Sequence, residues 1–201
     1  MDVVTALAAL LLKYHTTRVH ERYWGETFAE RDARIARIAD ADVRACHDVK
    51  LARGWTFAGC LSAVVMVQEW ESGLERGVHA GEKKGPGGEL CLTQINHRAT
   101  LEGAIRDPDY KITEDEWQSL PGLDAEATYR CALAGAKILM YHASRCAIPF
   151  AGDSWWMGAR LAAEFHHPSN VCNATVEPMH SHRGMTYASV YRKLLLVTGG
   201  G

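Results

Sequence analysis

With 201 residues, 47% of them apolar and 23% charged, the chain is long enough to bury one substantial core and too apolar to be disordered throughout. A formal charge of −2 without any block of like charges excludes a composition-driven attraction to nucleic acid or to an anionic membrane, so no nucleic-acid partner is expected. Six scattered cysteines with no C-x-x-C are too sparse for a disulfide-stapled miniature scaffold. They read as buried small apolar residues, with one or two bridges in an exported protein as the alternative.

The first apolar run, Val3 to Leu12, predicts a helix. Asp2 precedes it where a signal peptide carries basic residues, no small-x-small cleavage site follows, and ten residues are too few to span a bilayer. No membrane span and no signal peptide are therefore read here. A second helix is expected over 26–46, with Phe28, Ile35, Ile38 and Val43 along one face and alanines between. Its alternating charges, including the i,i+4 pairs Glu30–Arg34 and Asp40–Arg44, read as a solvated face. Gly54 ends that pattern. Thr56 then caps a helix that is apolar almost all round from Phe57 to Trp70, and such a helix is normally central in its domain. Gly73 is placed to stop it.

Arg76 to Gly88, with five glycines and a proline, predicts a loop or tight hairpin. Leu90 to Ile95 is the one strand-like piece. Thr113 and Glu116 have the spacing of a capping box for a brief helix that ends before Pro121-Gly122. Asp124 opens a longer helix with Tyr129, Leu133, Ala136 and Met140 at helical spacing. A further helix is expected from Asp153 or Ser154 to Pro168, through Met157, Leu161 and Phe165, and a last one over 186–197. The architecture expected is mainly α, a single globular domain of six or seven helices with a small β-hairpin. Residues 1–54 would supply N-terminal helices packing on a core formed by 55–201.

The chemistry concentrates at the end of the apolar helix, in Gln68-Glu-Trp-Glu-Ser-Gly73. A carboxyl group there meets the negative end of the helix dipole, and apolar walls would desolvate it; both effects oppose ionisation. An acid still protonated near neutral pH can donate its proton to a leaving oxygen, which glycosidic cleavage needs. Glu69 and Glu71 both stand at this end, on opposite sides of the helix, and periodicity does not choose between them. An ion pair with Arg76 or Lys83 is the structural alternative for Glu71.

Glu71-Ser72, a glycine-bearing loop, and then Cys91-Leu-Thr-Gln-Ile-Asn96 resemble the lysozyme-like superfamily of soluble lytic transglycosylases and goose-type lysozymes. In that family a helix ends in Glu-Ser, and a Gly-Leu-Met-Gln-Ile segment follows some two dozen residues later. The resemblance covers roughly residues 57 to 96 well and the remainder in outline. It implies an α+β lysozyme-like fold with the hairpin beside a cleft, and cleavage of the β-1,4 bond between N-acetylmuramic acid and N-acetylglucosamine in peptidoglycan glycan strands. Glu71 would be the general acid/base and Ser72 a supporting hydrogen-bonding residue. Gln94 and Asn96 would line the glycan cleft, with Phe165-His166, or Tyr141 of Tyr141-His142, standing for the family's later Tyr-Asn pair. Glu82 and Glu89 are the candidates for a second carboxylate, and each also reads as a solvated loop charge. Lytic transglycosylases manage with one acid, the substrate's acetamido and 6-hydroxyl groups doing the rest.

Cys91 stands where the family has glycine and Thr93 where it has methionine. These departures motivate a second expectation: a catalytically inactive lysozyme-like module that binds glycan or belongs to a phage or secretion apparatus. Either role would be exercised at the bacterial cell wall, in the periplasm or outside the cell. His166, His167, His180 and His182, with Cys172 between, have no established ligand spacing, so neither a metal nor any other cofactor is expected. Trp117, Trp155 and Trp156 suit sugar stacking, although burial at helix starts is the commoner use of tryptophan.

Overall fold

The structure is a computed structural model, and it describes residues 2–14, 25–97, 107–148 and 187–198. Helix α1 (Val3–Tyr14) buries Leu7, Leu10 and Leu11 and packs on α2 (Phe28–Asp48). α2 starts in a capping box. The Thr27 hydroxyl accepts from the Glu30 amide at 3.2 Å, and the Glu30 carboxylate accepts from the Thr27 amide at 2.8 Å. Ile35, Ile38, Ala39 and Ala45 form its core stripe.

The charges of α2 depart from the solvated face expected of them. Glu30 is engaged in the cap, so Arg34 turns inward to Glu26, and Asp42 is fully buried. Only Asp40 and Arg44 keep the expected i,i+4 approach, at 3.9 Å on the surface.

Helix α3 (Phe57–Glu71) begins at Thr56, whose hydroxyl accepts from the Gly59 amide at 3.1 Å. Every residue from Ala58 to Glu69 is buried, because α2 covers one side while α6 (Ala125–Arg145) and α7 (Tyr187–Thr198) cover others. The expected central position is what an all-round apolar helix requires. At its end Gly73 and Leu74 both take φ of 55°, and the chain turns away.

Between α3 and α6 lie two short helices, α4 (Arg76–His79) and α5 (Glu114–Gln118). α4 is a helical turn within the stretch expected to be only loop. α5 carries the expected Thr113–Glu116 capping box, and Asp124 caps α6 by accepting from the amides of Glu126 and Ala127. Buried apolar side chains from Leu7 in α1 to Leu194 in α7 form one contiguous cluster. Among the described residues no helix is long and apolar enough to cross a membrane.

One expectation is corrected. The molecule is mainly helical, but the small β-hairpin is not present among the described residues. Leu90 and Ile95 make one isolated antiparallel bridge, with N–O distances of 3.1 and 2.9 Å. The residues between curl into a turn because Cys91 and Gln94 adopt φ of 58° and 50°, outside the extended region. Leu92 and Thr93 are both fully buried, which strand alternation would forbid for neighbours.

The described cysteines follow the alternative left open for them, bridges, and four of them are buried as well. Cys46 bonds Cys60, joining α2 to α3 with a Cα separation of 5.8 Å, and Cys91 bonds Cys131 of α6 at 6.0 Å. Cys146 is disulfide-bonded as well. Partners so distant in sequence become neighbours only once the helices pack, which is why spacing did not reveal them.

Candidate functional site

The two acids at the end of α3 differ in access. Glu69 is completely buried, whereas Glu71, the last residue of the helix, is partly exposed. Solvent therefore reaches Glu71 but not Glu69. Ser72 closes the helix with its own hydroxyl, which donates to the Gln68 carbonyl at 2.8 Å and accepts from the Leu74 amide at 3.2 Å. The Ser72 side chain is thus bonded to the backbone on both sides of Glu71. Of the nearby bases, Arg76 donates to both oxygens of Glu82 at 2.8 and 2.9 Å, and Lys83 pairs with Glu75.

Beneath this terminus α2 contributes two side chains that sequence reasoning missed. Arg34 is clasped by Glu26, Nε to Oε2 at 2.8 Å and Nη2 to Oε1 at 2.6 Å, and its Nη1 donates to the Leu74 carbonyl at 2.8 Å. Asp42 Oδ1 accepts from Gln68 Nε2 at 2.7 Å. Burial pushes the Asp42 carboxyl up to about 8, against the opposing effect of that amide hydrogen bond. A signal existed: Asp42 falls on the Ile35–Ile38 stripe at helical spacing, a core-facing position for a charged residue.

His79, at the end of α4, is buried beside the same scaffold. Thr128 Oγ1 donates to the Asp124 carbonyl at 2.6 Å, so at 2.9 Å from His79 Nε2 it acts as acceptor, and Nε2 carries the proton. Burial, and after it Arg34 and Arg37, push the imidazole down to about 3. It is a neutral ring across the physiological range.

Three predicted site residues come together around the glycine loop. Glu89 folds back so that Oε2 accepts from the Gly87 amide at 2.8 Å and Oε1 accepts from Asn96 Nδ2 at 3.1 Å. Gln94 Nε2 donates to the Cys91 carbonyl at 2.9 Å. The glycines are needed for this closeness. A Cβ on Gly85 would stand 2.2 Å from Glu89 Oε2 and 2.8 Å from Gln94 Oε1, and one on Gly87 would stand 2.5 Å from Glu89 Oε1. Trp117 donates its indole N–H to the Ile95 carbonyl at 3.2 Å and lies edge-on to His97.

The other candidates lie apart from this cluster. Glu82 is an exposed partner of Arg76. Tyr141 is buried in α6, its hydroxyl accepting from Arg145 Nη1 and its ring edge-on to Tyr110 and His142. Phe165 and His166 lie outside the described residues, as do the remaining residues of the histidine-rich segment and Trp155-Trp156. Among the described residues no group of His, Cys, Asp or Glu is arranged to hold a metal ion. No protein-family model, curated protein or solved structure matches the chain.

Proposed function

We propose that this protein is a lysozyme-like glycosidase that cleaves the MurNAc–GlcNAc β-1,4 bond of peptidoglycan, working as a lytic transglycosylase with Glu71 as its one general acid/base. The supporting observation is the accessibility of the α3 terminus: a helix buried from Ala58 to Glu69 ends in a partly exposed carboxyl group followed by Ser72. In this chemistry Glu71 protonates the glycosidic oxygen as the bond breaks. Its carboxylate then takes the proton of the muramyl 6-hydroxyl, which closes onto the anomeric carbon.

The departures from the family pattern have a local rationale. Cys91 stands where the family has glycine and adopts φ of 58°, a conformation that favours glycine. Thr93 is small enough to sit on Gly135 of α6, with the Cys91–Cys131 bridge holding the turn in place. Engagement of Glu82 by Arg76, and of Glu89 by Gly87 and Asn96, supports a mechanism that needs no second carboxylate. Disulfides suit the oxidising surroundings of a cell-wall enzyme, in the periplasm or beyond it.

The second reading, an inactive module that binds glycan or joins a phage or secretion assembly, is favoured by the burial of Tyr141, which cannot line a cleft from inside α6. Purified sacculi separate the two. The wild type is expected to release anhydromuropeptides, identified by mass, and Glu71→Gln to lower the rate by roughly 10²–10⁴-fold. Saturable sacculus binding without product, or full activity in Glu71→Gln, would overturn the proposed mechanism.

A further inference from the structure

Two side chains of α2 bond residues on either side of Glu71, one through a side chain and one through the backbone. Asp42 accepts from the side chain of Gln68, three residues before it, and Arg34 donates to the carbonyl of Leu74, three residues after it. The Gln68 carbonyl in turn accepts from both the amide and the hydroxyl of Ser72, at 3.0 and 2.8 Å.

With Asp42 ionised, its pairing with Gln68 is incompletely satisfied. Besides the bond from Nε2 to Oδ1, Asp42 Oδ2 and Gln68 Oε1 are each buried with no hydrogen-bond partner among the described residues. Two acceptors cannot satisfy one another. One proton on Oδ2 turns it into a donor, and Oε1 is the acceptor left open on the residue that Asp42 already bonds. Among the described residues, burial and the Gln68 amide are what act on the Asp42 carboxyl. Of the elements packed on α2, α1 presents Leu7, Leu10 and Leu11. The buried titratable groups of the others are Glu69 on α3 and Tyr141 and His142 on α6.

We propose that Asp42 is carried as a neutral carboxylic acid in a reciprocal pair with Gln68, and that this pair, together with Arg34 on Leu74, positions Glu71 for catalysis. The positioning role rests on the glycan-cleaving function proposed above, whereas the protonated pair does not. Asp42→Asn places an N–H where the acid has its O–H and keeps both bonds, while Asp42→Ala removes both.

Urea unfolding across about pH 5 to 9 tests the pair. The wild-type midpoint is expected to fall relative to Asp42→Asn as pH rises. An infrared band of a protonated carboxyl, present in the wild type near neutral pH, is expected to be missing from Asp42→Asn. A constant difference between the two proteins at every pH, with no such band, would overturn it. This comparison stands even if Asp42→Ala does not fold.

On sacculi, Asp42→Asn is expected to retain lysis. Asp42→Ala should lose roughly ten- to a hundredfold in kcat with KM little changed. An unchanged kcat in Asp42→Ala would remove the positioning role. A wild type with no lysis at all would instead overturn the proposed function and leave the pH and infrared results to judge the pair.

Discussion

Arg34 is 1% exposed beneath the end of α3, and a guanidinium is tolerated there because Glu26 takes two of its N–H groups and the Leu74 carbonyl a third. Leu74 has φ of 55°, a left-handed conformation that costs a side-chain-bearing residue about 1–2 kcal/mol, and the Arg34 bond helps hold it. Replacing Arg34 by methionine would leave Glu26 buried without this partner. The expected loss is about 3–5 kcal/mol, read from urea unfolding against wild type. The double variant Arg34→Met/Glu26→Gln should lose less than Arg34→Met alone. Legibility at this scale was uneven. Spacing suggested Glu30 for Arg34, but a carboxylate can serve the capping box only by giving up that pair. Glu26 precedes the helix, where helical periodicity says nothing. The choice of Glu71 over Glu69 rested on resemblance; the two differ in burial, Glu69 enclosed and Glu71 partly exposed.

The helices were legible as elements because their signals are local: Thr56, Thr113 and Asp124 cap where a hydroxyl or carboxylate precedes a periodic run. The Leu90–Ile95 turn was not, because what shapes it lies far along the chain. Its apolar residues resemble a strand, yet Cys91 is bonded to Cys131 and Thr93 is seated on Gly135. A Cβ at position 135 would stand 2.6 Å from Thr93 Cγ2, so the turn approaches α6 more closely than alanine allows. Gly135→Ala is accordingly expected to destabilise the protein by about 1–2 kcal/mol, even though alanine is the better helix former by about 1 kcal/mol. Thermal unfolding would measure this, and Thr93→Ser in the same background should recover part of the loss. Additive effects would mean that the two residues do not share this contact.

For the whole molecule, stability should follow pH through two buried groups of opposite tendency. His79 has its folded value depressed from 6.5 to about 3 and favours folding when neutral, so its contribution is present above 6.5 and is lost as pH falls toward 3. Asp42 has its value raised from 3.8 to about 8; its contribution is present below 3.8 and is lost as pH rises through 8. The two slopes oppose each other between roughly pH 4 and 6.5 and leave a decline from there to about 8. Urea midpoints measured across this range should show that decline, and Asp42→Asn should abolish it. His79→Gln should uncover a fall at lower pH that the wild type lacks. At this scale the sequence made the class legible, mainly helical around one greasy helix. It could not show which charges that core would enclose, since enclosure is decided by the packing of α2, α3 and α6 together.

Because α3 has neighbours on several sides and no polar face from Ala58 to Glu69, it cannot peel away singly as a surface helix can. Its amide protons are shielded until the surrounding helices separate, so they should exchange with solvent only in openings that dissolve the core. The carboxyl group of Glu71 is thereby mounted on an element that moves only with the core, whereas the glycine loop and the turn that follow are free of that constraint.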